Sequence, residues 1–254
     1  MASNPFDALA RYYDWEHAGF QDDVAMYLGF AKRTGGPILE LGCGTGRLLG
    51  PLLAEGFRVV GVDGSAEMLT VARARLERDG LAQRVALHHA DMRSFSLNER
   101  FPFAFVALDS FGLLARRSDQ HAALVQAARH LLPGGLLVID VANGNLRGGE
   151  PRDELMLQHS GPEPTTGRPL SKWTARRTDL AAQTDHFTYA YDEVQDDGTV
   201  KRWTTTLELR YFGRFELEML LERAGFGVEA LYGSYDLAPF DSTSERLIAV
   251  GVKL

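Results

Sequence analysis

Apolar and polar positions fall into two regimes that meet near Asn143. From about Ile38 to Asn143, short runs that are almost wholly apolar, such as Ile38, Leu39 and Leu41, alternate with stretches of helical spacing, such as Ser65 to Leu76 and Asp119 to Leu132. Continuous apolar runs mark strands covered on both faces, and their alternation with helices predicts a doubly wound α/β fold around a parallel sheet. Pro133-Gly134-Gly135 is read as the stop signal of the second helix.

After Asn143 the pattern changes. Gly144 to Pro169 is rich in Gly and Pro, with a short apolar island at Leu155 to Leu157, and reads as a loop. Leu170 to Thr178, Thr184 to Gln195 and Val200 to Phe212 have strand composition, and Asp196-Asp197-Gly198-Thr199 supplies a hairpin turn between the last two. These strands predict an antiparallel β-sheet inserted ahead of the last helix, Phe215 to Ala224, which Gly225 ends. Val228 to Tyr235 and Arg246 to Lys253 then return to the core sheet as an antiparallel pair. The organisation expected is an N-terminal helical lid over 1–37, an α/β core over 38–143, the insertion over 144–212 and core-completing elements over 213–254.

The first strand runs straight into chemistry. Ile38 to Arg47 reads ILELGCGTGR, a buried strand carrying the carboxylate of Glu40, then a turn in which Gly42, Gly44 and Gly46 bring backbone close to a ligand. Leu48 to Glu55 follows as a helix whose free amides face that ligand. A dinucleotide fingerprint needs glycine where Arg47 stands. The substitution argues against NAD, and a carboxylate at Glu40 suits an amine-bearing cofactor better than a pyrophosphate.

At this point the sequence resembles the class I S-adenosylmethionine-dependent methyltransferases, whose first motif is an acidic residue followed by G-x-G-x-G. The resemblance continues along the chain. Arg58 to Asp63 (RVVGVD) looks like the second strand, ending in the acidic residue that holds both ribose hydroxyls in that family. Gly64, Ser65 and Met68 follow in the D-x-S-x-x-M-L arrangement, and Leu87 to Met92 (LHHADM) resembles the third strand and its exit. There the resemblance implies that Asp91 accepts from the adenine amino group and Met92 packs on the ring. Phe103 to Asp109 and Leu132 to Asp140 resemble the fourth and fifth strands. The implied fold is the Rossmann-like, seven-stranded sheet of that family. The implied cofactor is S-adenosyl-L-methionine, held by Tyr13, Glu40, Gly42, Cys43, Gly44, Gly46, Asp63, Gly64, Met68, Asp91, Met92 and Leu108.

The inserted sheet resembles the layout of small-molecule N-methyltransferases, including those that dimethylate amino sugars and those that methylate glycine. Their Y-D-x-x-H pattern falls on Tyr13, Asp14 and His17. Where amino-sugar enzymes tend to carry a histidine in a serine-containing turn, this chain has Asp109-Ser110-Phe111-Gly112-Leu113, with Leu113 at the histidine's place. Tyr13, His17 and Asp109 are the candidate catalytic residues, and each has a structural reading too: Tyr13 and His17 as anchors of the first helix, Asp109 as a cap of the next turn.

Methyl transfer from a sulfonium is an in-line displacement in which positioning can supply roughly 7–11 kcal/mol. A neutral amine already carries its nucleophilic lone pair, whereas an oxygen nucleophile needs a base or metal more urgently. No metal-ligand cluster is evident, so a small amine is the expected substrate, with O-methylation of a phenol or carboxylate, or a non-catalytic S-adenosylmethionine-binding role, as alternatives.

Composition narrows the class further. A net charge of -7 gives no basic footprint for nucleic acid, and 254 residues with 45% hydrophobic content support one substantial core with no membrane-length run. The single Cys43 fits a reducing compartment and, with no signal peptide evident at the start, a cytoplasmic protein is expected. His88 and His89 are adjacent on a strand and face opposite ways. Arg176, Arg177, Arg202 and Arg210 are either a solvated strand face or an anion clamp, and Trp173, Trp203, Tyr189, Tyr191 and Tyr211 either pack the insertion or line the substrate site. Strand edges in the insertion leave room for a homodimer.

Overall fold

In the computed structural model, which describes residues 4–17, 19–144 and 153–254, two sheets share the chain. The larger has seven strands: β1 (Ile38–Leu41), β2 (Val59–Asp63), β3 (Val85–His89), β4 (Phe101–Val106), β5 (Leu131–Ala142), β10 (Phe226–Tyr232) and β11 (Arg246–Lys253). Their order is β10-β11-β5-β4-β1-β2-β3. The first five run parallel, and β11 is antiparallel to both β5 and β10. Strand order therefore reverses between β1 and β4, the place where an open α/β sheet opens a crevice beyond the carboxyl ends of its strands.

Both faces are apolar because alternate residues of each strand serve different cores. Leu39, Leu41, Ala104, Val106 and Ile139 pack with α5 (Arg117–His130) and α6 (Arg214–Arg223). Ile38, Phe103, Phe105 and Val138 pack with α2 (Val24–Thr34) and α3 (Leu49–Ala54). The remaining helices are α1 (Pro5–His17) and α4 (Ala66–Arg78). Ser65 caps α4 by accepting from Met68 N at 3.1 Å, so part of the DGSAEML motif is a helix start.

The second sheet is four-stranded and antiparallel, β6 (Asp153–Pro162), β7 (Pro169–Asp179), β8 (Thr184–Val194) and β9 (Val200–Arg210), in that order. It is inserted between β5 and α6, and its β8–β9 turn uses Gly198 at φ 82°.

Two expectations need correction. The Gly144 to Pro169 segment is not a loop throughout: β6 occupies ten of its residues, while 145–152 lie outside the described residues. Leu155, Met156 and Leu157 are all exposed, so this stretch lacks the alternation of apolar and polar positions that marks a half-buried strand. The helix expected to reach Leu132 stops at His130, because Leu131 already pairs with Phe101; Pro133-Gly134-Gly135 then shifts the register of β5 against β4.

Candidate active site

The glycine turn leaves β1 into the crevice. Gly42 N and Cys43 N both donate to Val62 O, at 2.8 and 3.2 Å, which locks the turn to the neighbouring strand. Gly42 has φ 76°, and a Cβ there would sit 2.9 Å from Ser110 Cβ. The Cys43 thiol points into the sheet, where Gly61 is the residue that leaves it room: a Cβ on Gly61 would lie 2.8 Å from Cys43 Sγ. Burial raises that thiol's pKa well above its ordinary value.

Three carboxylates surround the turn. Glu40 is 3% exposed, and its Oε2 has no hydrogen-bond partner among the described residues. Burial pushes its pKa well up, against the opposing pull of Arg47. Asp63, at the end of β2, accepts from Gly44 N and Ser65 N at 2.8 Å each; burial raises its pKa while those amides lower it. Asp91 is held by Arg93, whose Nε lies 2.9 and 3.0 Å from its two oxygens and keeps the carboxyl below its usual range. Met92 reaches over the turn, with Cε 3.5 Å from the position of a Gly42 Cβ. Gly64 O lies 3.2 Å from His89 Nε2. Gly46, at φ 77°, closes the turn against Leu49 and Ala72. Met68 is 1% exposed and packs under α1 with Leu9 and Tyr12, so it belongs to the α1–α4 contact.

Helix α1 lies across this crevice, tied down on two sides. Toward the core, Asp14 takes a hydrogen bond from Thr45 Oγ1 of the glycine turn and an ion pair from Arg75, each 2.6 Å, and Asp7 accepts from Ser65 Oγ at 2.6 Å. Toward the insertion, Glu16 receives both Lys172 Nζ and Tyr191 OH, and Tyr12 stacks on Tyr191 with ring centroids 4.3 Å apart. The segment after α1 is fixed by Arg47, which forms a bidentate pair with the fully buried Asp23 at 2.6 Å twice and lies over the Phe20 ring. Sequence reasoning missed Asp14, Glu16, Asp23, Thr45 and Lys172 as fixing residues. Only Asp14 carried a local signal, inside the Y-D-x-x-H pattern.

A cavity of about 660 Å³ opens between α1, the turn after β4 and the inserted sheet. It gathers Tyr13, His17, Leu108 and Asp109 on one side and Lys172, Arg176 and Tyr189 on the other. Tyr13 stacks on His17 at 4.1 Å, and burial pushes its hydroxyl up to about 12. His17 Nδ1 lies 2.8 Å from Tyr13 O, an acceptor, so that nitrogen carries the proton and Nε2 keeps its lone pair. Burial lowers the His17 pKa, so the ring is neutral at pH 7.

Asp109 lines the cavity, but its carboxylate does not make the cap expected of it. Leu108 and Asp109 are consecutive left-handed residues, φ 47° and 64°. The Asp109 carboxylate accepts from Ala142 N at 2.5 Å and Arg246 Nη1 at 3.1 Å, and it does not cap the turn that follows. Among the arginines, Arg202 pairs with Asp192 and Arg210 with Glu216, away from the cavity, whereas Arg176 lines it.

A parallel sheet reversing at β1/β4, a glycine turn with a buried acid ahead of it and an acid ending β2 define a nucleoside-cofactor enzyme of the methyltransferase fold. Residues 38–135 match the methyltransferase-domain family. A trans-aconitate 2-methyltransferase from Azoarcus is 32% identical, covering 73% of this chain and 71% of its own. An amino-sugar N,N-dimethyltransferase from Streptomyces fradiae, acting on dTDP-3-amino-3,6-dideoxy-alpha-D-glucopyranose, is 37% identical, but the match covers only 52% of either chain. The chain thus spans about half the length of such amino-sugar relatives. In overall fold it matches the CcbJ methyltransferase of Streptomyces caelestis, at TM-score 0.82, 23% identity and 99% coverage of both chains. The chain belongs to the class I S-adenosylmethionine-dependent methyltransferases.

The residues present fit that cofactor. The orphaned oxygen of Glu40 is a buried acceptor suited to an ammonium, and Asp63 presents at the end of β2 a carboxylate suited to accept from sugar hydroxyls. No described helix is long and apolar enough to cross a membrane.

Proposed function

We propose that this chain transfers the methyl group of S-adenosylmethionine to the nitrogen of a small-molecule amine. The observation that carries the reading is the cavity beside the glycine turn, walled by a neutral histidine and closed by a helix pinned to both the core and the inserted sheet. The relatives named as N-methyltransferases of amino sugars support the same choice of nucleophile.

In this reading Asp63 holds the ribose, Asp91 and Met92 the adenine, and Glu40 with Gly42, Cys43, Gly44 and Gly46 the methionine end, with Gly64 and Leu108 bordering the nucleoside. Met68 acts from behind, through the packing of α1. When bound, the cofactor supplies an electrophilic methyl on a sulfonium. The chain's own task would be alignment and proton removal: it would hold the amine nitrogen in line with the methyl of the bound cofactor, and His17 Nε2 would take the proton lost from nitrogen and pass it to solvent. Tyr13 covers the reacting end and keeps the His17 ring in place by stacking. Asp109 shapes the cavity floor through its backbone. The division that goes with this is a lid over 1–37, a cofactor core over 38–143, a substrate-side insertion over 144–212 and a completing segment over 213–254. The net charge of -7 supports a small molecule over nucleic acid, and the single cysteine supports a cytoplasmic setting. The open β6 edge offers a contact for a homodimer.

The test is calorimetric titration with S-adenosylmethionine and, separately, NAD, followed by a screen of amines and phenols for S-adenosylhomocysteine release. Turnover on an amine is expected. Turnover on phenols alone would replace the reading with O-methylation, and failure to bind S-adenosylmethionine would overturn it.

A further inference from the structure

The wall that the inserted sheet presents to the cavity is divided chemically. On β7, Lys172, Thr174 and Arg176 lie on one face at alternate positions. Opposite Arg176 stands Phe187 of β8, and opposite Phe187 stands Leu207 of β9, so the wall turns apolar across the sheet and continues to Leu209. On the other side of β7, the register of β6 shifts between Leu157 and His159, and this bulge lets the consecutive residues Gln158 and His159 both reach the cavity.

The polar half is rich in donors. Thr174 Oγ1 donates to Gln158 Oε1 at 2.6 Å, which occupies the acceptor of that amide and leaves its NH₂ for the cavity. Arg176 is held by its Nε, which donates at 3.0 Å to Asp185, a buried carboxylate that also accepts from Thr178 Oγ1 at 2.6 Å. Both terminal nitrogens of Arg176 are without a hydrogen-bond partner among the described residues. Among the described side chains of this wall, Lys172 pairs with Glu16 and Arg176 with Asp185. A preorganised planar fork whose own charge is already paired with Asp185 suits a monoanionic, planar acceptor better than a phosphate dianion.

We infer that Arg176 and Gln158 form a subsite for a carboxylate carried by the amine substrate, whose apolar body lies against Phe187, Leu207 and Leu209. The inference rests on the reading that this cavity takes the amine, and it names the substrate class as an amphipathic amino acid rather than a nucleotide-linked sugar. The experiment uses benzoate and phenyl phosphate as probes, titrated calorimetrically into the full chain with and without saturating S-adenosylhomocysteine. Benzoate is expected to bind the wild type more tightly than phenyl phosphate does, and at least tenfold more weakly to both Arg176→Gln and Arg176→Lys, the latter retaining the charge opposite Asp185. Equal benzoate affinity in wild type and variants, or a preference for phenyl phosphate, overturns the subsite. S-adenosylhomocysteine affinity should be unchanged in both variants. Its absence in the wild type would count against the methyltransferase reading, while the benzoate comparison without cofactor still decides the subsite.

Discussion

Replacing Arg246 by alanine removes the cation that joins two strand ends beneath the cavity floor. Arg246 Nε donates to Asp140 Oδ1 at 2.7 Å and Nη1 to Asp109 Oδ2 at 3.1 Å; Nη2 is 2.6 Å from the same Asp140 oxygen, off the angle of a hydrogen bond. Asp140 is fully buried, so the variant strands a carboxylate in the core. Breaking a buried pair in this way costs roughly 3–5 kcal/mol. The low end applies, because Asp140 keeps Leu108 N at 3.0 Å and Tyr235 OH at 3.1 Å. About 3 kcal/mol corresponds to a fall in Tm of roughly 6–12 °C for a chain of this size. The loss also depends on pH. Burial already holds the Asp140 pKa above its ordinary value while Arg246 pulls it down, so removing Arg246 raises it further. A carboxyl whose pKa is higher folded than unfolded takes up a proton on folding, and stability falls as pH rises between the two values. The deficit of the variant should therefore be smaller at pH 5 than at pH 8. Urea denaturation followed by circular dichroism at both values measures it, and a deficit under about 1 kcal/mol, or one equal at both pH values, would refute the account.

Further outcomes follow from the cofactor end of the site. Asp63→Ala should lower S-adenosylmethionine affinity at least ~100-fold, since two hydroxyls lose a charged acceptor; near-wild-type binding by calorimetry would contradict the assignment. Glu40→Gln should weaken S-adenosylmethionine about tenfold while leaving methylthioadenosine, which lacks the amine, unaffected. Because Glu40 has a raised pKa when folded, the same variant should be more stable than wild type without cofactor at pH 8, a gain that shrinks as the pH falls, seen by thermal denaturation. Gly61→Ala drives a Cβ to 2.8 Å from Cys43 Sγ and 3.0 Å from Leu87 Cδ2, so a loss of about 1–3 kcal/mol is expected in the same melt. With saturating amine, His17→Phe should keep the stack on Tyr13 and lower kcat ~100-fold, and the acid limb of wild-type kcat should lie below pH 6.5; an unchanged kcat removes His17 from proton transfer.

The central strands β1, β2 and β4 were legible because they bury both faces and are written in nearly uninterrupted apolar residues; Ile38–Leu41 is the clearest case. β6 was not, since Leu155, Met156 and Leu157 are all exposed and give no alternation of buried and open positions. The glycine turn and Glu40 could be read from local pattern, whereas Asp63 and Asp91 stood out only through the family resemblance of the strands that carry them. The ties that place α1 could not be read either way: Glu16 with Lys172 and Arg47 with Asp23 join positions far apart in sequence, and no periodicity marks such a pair. Asp109 shows a related limit. Its type suggested a cap or a ligand, while its partners, Ala142 and Arg246, come from strands that only the fold brings beside it.

The tie between Glu16 and the inserted sheet bears on how the protein is made. Glu16 precedes Lys172 by 156 positions and Tyr191 by 175. At about 5–20 residues per second, translation leaves α1 without those partners for roughly 8–35 s. During that interval the ring of Tyr12, which finally stacks on Tyr191, has no counterpart, although α4 is already available to Leu9 and Ala10. The cofactor half of the molecule can thus be assembled on the ribosome well before the chamber beside it has its far wall.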